Sequence, residues 1–112
     1  GDYDGALVHR SVPGFVIQGG GFRHVGAGYG AIPTDPPVPN EACLSNTLGT
    51  LAMARLGGQP NSATSQWFVN LANNTNLDSV DGGFTAFGRV VGNSTFTTFT
   101  FLVLISAARM RW

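Results

Sequence analysis

Residues 66–70 read Gln-Trp-Phe-Val-Asn, an alternation that in a strand sends Gln66, Phe68 and Asn70 to one face and Trp67 and Val69 to the other. No segment of the chain sustains a helical apolar period behind a capping residue. Strands must therefore supply the core, and little helix is expected. Sixteen glycines and eight phenylalanines point the same way, towards a turn-rich, mainly β protein.

The turn chemistry agrees with that reading. Residues 6–9 and 15–18 are short β-rich runs separated by Ser11-Val12-Pro13-Gly14, where proline followed by glycine specifies a tight turn, so two adjacent strands are expected. Residues 49–55 (GTLAMAR), 65–71 (SQWFVNL) and 84–91 (FTAFGRVV) are further strand candidates. The stretch LGGQPNSAT between the first two has the composition of a loop. From 19 to 40 the chain holds six glycines and four prolines with few apolar residues, which predicts a long irregular surface loop. Residues 96–105, rich in Thr, Phe, Val and Ile, lean towards strand by propensity, although an apolar run this short is also compatible with a buried helix.

The chain has 112 residues, enough for one domain spanning 1–112 with a modest core. Its net charge is zero and it has no lysine, so no basic stripe is present to engage a nucleic-acid backbone. Cys43 is the single cysteine and cannot close an internal disulfide. Without a CxxC or Cys/His cluster there is no metal site to propose, and no cofactor is expected. The opening Gly1-Asp2-Tyr3-Asp4 lacks an initiator Met and a signal peptide, and reads as the start of a fragment or processed form. The apolar stretch 99–108 falls short of the ~20 residues that a membrane span needs, so no membrane partner is expected.

The stretches VHRSVPGFVIQGGGF, GTLAMAR, SATSQWFVNL and GGFTAFGRVV occur here in the order and spacing found in cyclophilin-type peptidyl-prolyl cis-trans isomerases, which the chain resembles from about residue 3 to residue 91. The wording around PNEA and SNTLGTLAMAR is similar to bacterial members. The resemblance implies an antiparallel β-barrel with the substrate proline held in a groove on its outer face. It also implies that the barrel is incomplete here, because the family's opening strands and first helix precede the position of Tyr3. Residues 93–112 depart from the family's ending.

By the same resemblance the chain catalyses rotation about X-Pro bonds in exposed or unfolded protein segments, without cofactor or metal. Arg10 is the catalytic arginine. Phe15, Val16, Phe68 and Leu77 line the pocket for the proline ring, and Gln18 and Gln66 orient Arg10 and the substrate carbonyl. Ala54 and Arg55 fall where the family pins the substrate through the main chain, so their side chains are expected to matter less. Phe84 stands where many members have histidine or tyrosine, and keeps the apolar wall. Asn76 replaces the tryptophan of eukaryotic members, which implies weak binding of cyclosporin-type inhibitors. A soluble bacterial protein of cytoplasm or periplasm, monomeric if the barrel is complete, is the corresponding expectation.

The chemistry fits those residue types. Prolyl isomerisation breaks no bond; it crosses a barrier of ~18–20 kcal/mol set by sharing of the nitrogen lone pair with the carbonyl. A guanidinium near the proline nitrogen favours the twisted state, in which that lone pair is localised, and needs no proton cycle.

Read alone, each residue has a plainer reading. Arg10 beside His9 is an edge residue without FVIQGGGF near it, and Phe15, Val16, Phe68 and Leu77 are ordinary core in most chains. Trp67 and Met53 are expected in the core, His9 packs on the far side of its strand, and His24 is a loop residue. The glycine runs lack the helix start that a phosphate cradle needs. Asp35, Glu41, Asp78 and Asp81 have no carboxylate partner at useful spacing and serve turns and solvation. Two rivals to catalysis stand: a catalytically weak module that binds proline peptides in the same groove, and an inactive structural fragment.

Overall fold

The computed structural model describes residues 1–91. They form six strands: β1 (Ala6–Val12), β2 (Val16–Val25), β3 (Gly28–Ala31), β4 (Thr50–Met53), β5 (Trp67–Asn70) and β6 (Ala86–Arg89). All pairings are antiparallel, in the order β1-β2-β5-β4-β6, with β3 added to the far end of β2. Among the described residues the sheet is open, since β1 and β6 end the path without pairing to each other. The only helical pieces among them are two short 3-10 turns, Thr75–Asp78 and Val80–Gly82.

The expected hairpin forms around Pro13-Gly14, with Gly14 in the left-handed region at φ +70° and Val12 facing Val16. The expected loop over 19–40 forms only from residue 32 onward, where the chain is irregular apart from an isolated bridge between Val38 and Ala63, and its first part is corrected. β2 runs through all three glycines to Val25 and turns back into β3, so His24 lies on a strand and its ring meets Tyr29 edge-on. Glycine content argued for a loop because it weakens strand propensity. Here backbone pairing on both sides of β2 outweighs that preference.

The glycines still have a local task. Register slips between Ala6 and Val8, whose partners are Arg23 and Gly19, and Gly20 within this bulge takes φ +80°. A side-chain carbon at Gly20 would lie 2.5 Å from the Ser65 carbonyl oxygen, so the close approach of β2 to the chain entering β5 requires its absence.

Strand alternation divides the apolar residues between two faces. Val8, Ile17 and Val69 form one buried cluster, with Leu51, Trp67, Leu71 and Val90 packed against it. Val16, Ala52, Phe68 and Ala86 form the other, joined by Phe15, Ala54, Leu77 and Phe84. The placement of Phe68 opposite Trp67 and Val69 is as the alternation predicts. Trp67 is partly buried, as is Met53. The strand expectation for 96–105 and the atypical stretch 93–112 lie outside the described residues.

Candidate functional site

The second face carries a hollow of about 160 Å³ lined by Arg10, Phe15, Val16, Gln18, Ala54, Arg55, Phe68, Leu77 and Phe84. Nine of the ten residues singled out in the sequence thus meet at one place. The tenth, Gln66, does not line the hollow and joins it through a hydrogen bond with Gln18. Val16 and Gln18 point into the hollow from β2, Phe68 from β5, and Ala54 follows β4. Arg10 and Gln18 are paired across β1 and β2.

These polar groups form a relay. Arg10 donates from Nη1 to Gln18 Oε1 at 3.2 Å, and Gln18 Nε2 donates to Gln66 Oε1 at 2.8 Å. The first bond is exposed and the second half-buried, so the guanidinium stands at the mouth with its support running inward. A long charged side chain at the surface loses rotamer freedom when fixed, and an amide that is itself anchored lowers that cost at the moment of use. His9 turns away from the hollow and meets the Phe22 ring edge-on at 5.1 Å. Burial and then the neighbouring Arg10 charge lower its pKa below the ordinary 6.5.

The walls that no strand supplies, Phe15, Leu77 and Phe84, are fixed by a buried amide network that the sequence did not reveal. Asn70 is fully buried and donates to Asn46 Oδ1 at 3.1 Å and Thr50 Oγ1 at 2.9 Å. Asn74 donates to Asn70 Oδ1 and to the Phe15 carbonyl, both at 2.8 Å. Asn46, also fully buried, donates from its side chain to Asp78 Oδ1 at 3.0 Å and to the Phe84 carbonyl at 3.3 Å.

Asp78 therefore does more than solvate a turn. Its carboxylate accepts from the Ser45 hydroxyl and from both the backbone and side chain of Asn46. Those donors, Ser45 first, hold its pKa below the ordinary 3.8. The density of asparagine between 70 and 76 was the available signal, but nothing local says that these amides face inward.

Ala54 and Arg55 both make contacts within the protein. The Ala54 amide donates to the Gln66 carbonyl at 2.9 Å, so it already has a partner within the protein. The Arg55 side chain, expected to be secondary, is only 2 % exposed and lies 4.1 Å over the Phe84 ring. Beyond it opens a separate cleft of about 350 Å³ lined in part by Pro39, Asn40, Met53, Arg55 and Thr85.

Arranged this way, the hollow can take a small apolar ring against Phe15, Val16, Phe68, Leu77 and Phe84 while a fixed cation faces its edge. Among the described residues no group of three or more His, Cys, Asp or Glu side chains lies close enough to hold a metal ion.

The family model for "Cyclophilin type peptidyl-prolyl cis-trans isomerase/CLD" matches residues 1–107. A peptidyl-prolyl cis-trans isomerase of Acinetobacter baylyi is 46% identical over 93 residues, covering 80% of this chain and 47% of the relative. Peptidyl-prolyl cis-trans isomerase A of Dickeya dadantii is 46% identical over 95 residues, covering 81% and 48%. Peptidyl-prolyl cis-trans isomerase B of Escherichia coli is 44% identical over 98 residues, covering 81% and 57%. The chain thus spans about half the length of the curated relatives it matches. Among solved structures, a cyclophilin-type isomerase of Cryptosporidium parvum crystallised in the presence of the dipeptide Ala-Pro superposes with a TM-score of 0.66 at 25% identity, covering 89% of this chain and 63% of that one.

Proposed function

The chain belongs to the cyclophilin-type peptidyl-prolyl cis-trans isomerase family, and on that premise we propose that it catalyses rotation about X-Pro bonds in exposed or unfolded peptide segments. The observation that carries this reading is the Arg10–Gln18–Gln66 relay at the edge of an apolar hollow sized for a small ring.

The proline ring packs onto the wall made by Phe68 and Phe84, whose rings support each other edge-on with centroids 5.6 Å apart. Arg10 donates towards the proline nitrogen. In the planar amide that nitrogen has little basicity, because its lone pair is delocalised; in the twisted state the pair is localised and accepts well. The bond to Arg10 therefore strengthens as the barrier is approached, which is what lowers it. Gln18 keeps the guanidinium oriented, and Gln66 keeps Gln18. No proton is transferred, so the site needs no titrating base. The Ala-Pro dipeptide named for the Cryptosporidium parvum structure supports a proline peptide as the ligand class here.

Line-broadening or exchange NMR on a short Ala-Pro peptide tests the reading. Exchange between cis and trans isomers should accelerate with the wild-type chain and fall back towards the uncatalysed rate with Arg10→Ala, while peptide binding persists. Binding without acceleration by the wild type supports the rival peptide-binding module. Neither binding nor acceleration by a folded chain removes both.

A further inference from the structure

We propose that the Arg55 side chain is a positioning residue that sets the Phe84 wall of the proline hollow, a role that rests on the isomerase reading above. Four observations converge on it. The guanidinium lies 4.1 Å from the Phe84 ring centroid. Its Nη2 donates to the carbonyls of Val80 at 3.0 Å, Asp81 at 3.3 Å and Gly83 at 2.8 Å, the last being the residue that leads into Phe84.

That turn is one the backbone does not favour by itself. Asp81, Gly82 and Gly83 all have positive φ, at 48°, 84° and 86°. A non-glycine residue held there persists only where its surroundings over-determine it. One buried cation collecting three carbonyls supplies that determination, and the closing salt bridge from Nη1 to Asp81 Oδ2, at 3.9 Å, adds to it.

The fourth observation concerns what the cation lacks. Nε and Nη1 are buried with no hydrogen-bond partner, so apart from the long ion pair to Asp81 the electron-rich face of Phe84 beneath Cζ is the compensating contact for the charge. Ring and guanidinium stabilise each other's place. With Phe68 edge-on to the same ring, Phe84 is clamped on two sides before any peptide arrives, and a preformed wall binds its ligand without an ordering cost.

The test uses the 112-residue chain with Arg55→Leu, Arg55→Lys, Phe84→Ala and the double variant Arg55→Leu/Phe84→Ala. Two readouts are followed: nuclear Overhauser contacts between the Phe68 and Phe84 rings, and KM and kcat for an Ala-Pro peptide. Arg55→Leu should lose the ring contacts and raise KM roughly fivefold, with kcat little changed. In the Phe84→Ala background it should add nothing to KM, which a general loss of stability does not predict. Arg55→Lys keeps the charge but loses the fork, and should show the same effects at smaller size; it carries the test if the leucine variant does not fold. Unchanged ring contacts and KM in both variants, or an undiminished Arg55→Leu effect without Phe84, overturn the proposal. If the wild-type chain neither binds nor turns over the peptide, the isomerase reading fails, and the ring contacts alone then decide whether Arg55 places Phe84.

Discussion

Arg10 and Gln18 face each other as Cα partners across β1 and β2, and the guanidinium of the first donates to the amide oxygen of the second at 3.2 Å. The strand pairing therefore does what a loop could not: it fixes the two Cα positions by backbone hydrogen bonds, leaving only the side-chain torsions of Arg10 to be set by Gln18.

Replacing Arg10 with alanine should lower the isomerisation rate constant by about 10²- to 10³-fold, the usual effect of removing one preorganised donor that acts on developing charge. Arg10→Lys should recover only part of this, since a single ammonium does not match the planar fork that Gln18 holds. Exchange NMR at saturating peptide measures both.

Gly21 and Gly20 should separate activity from stability. A side-chain carbon at Gly21 would approach Gln66 Nε2 to 2.7 Å, and that amide is the flexible end of a side chain that can swing aside. Gly21→Ala should therefore fold near normally while disturbing Gln18 and slowing catalysis several-fold. At Gly20 the obstacle is the Ser65 main chain and the φ is +80°. Gly20→Ala should cost about 1–2 kcal/mol or more in urea unfolding.

Asn70→Leu keeps the branched shape, though it is bulkier, and removes the centre of the buried amide network. Asn46 Oδ1 and Thr50 Oγ1 lose a donor and Asn74 Nδ2 loses an acceptor. Stability should fall by at least about 2 kcal/mol, because unsatisfied buried polar groups keep their desolvation penalty. Peptide affinity should fall further than stability alone explains, since Asn74 also holds the Phe15 carbonyl. Chemical denaturation and peptide titration on the same sample decide it.

His9 reports on the surroundings of Arg10 through pH. Its folded pKa is lowered, so the folded state binds the proton less readily than the unfolded chain. Its contribution to stability is full above the ordinary 6.5 and is lost as pH falls from there through the lowered value. An NMR titration of the imidazole should give a midpoint below 6.5. In Arg10→Ala the midpoint should rise only in part, because burial is the larger cause and the arginine charge the smaller.

The strands that carry the hollow were legible because they obey short-range rules. The alternation at 66–70 placed Phe68 opposite Trp67 and Val69, and Pro13-Gly14 marked the hairpin that brings Arg10 beside Gln18. What escaped depends on distant partners. β2 continues past Gln18 because β1 and β3 pair with its backbone, and backbone pairing leaves no trace in side-chain chemistry. Asn46 and Asn70 meet across 24 positions, and Asn46 and Asp78 across 32, so neither spacing suggests contact. The burial of the Arg55 side chain, expected to matter less than its main chain, was not legible because a buried arginine is rare and the carbonyls that accept from it lie 25 to 28 positions away.

Gln18 and Gln66 stand 48 positions apart, yet their amides touch. The relay exists only after β2 and β5 have zipped together, a closure whose chain entropy is large and whose timing follows contact order. Regain of turnover in a refolding experiment should accordingly track the latest, most distant pairing, and a locally ordered β1–β2 hairpin should be inert. A groove proposed to hasten slow steps in other chains must complete its own long-range closure without such help.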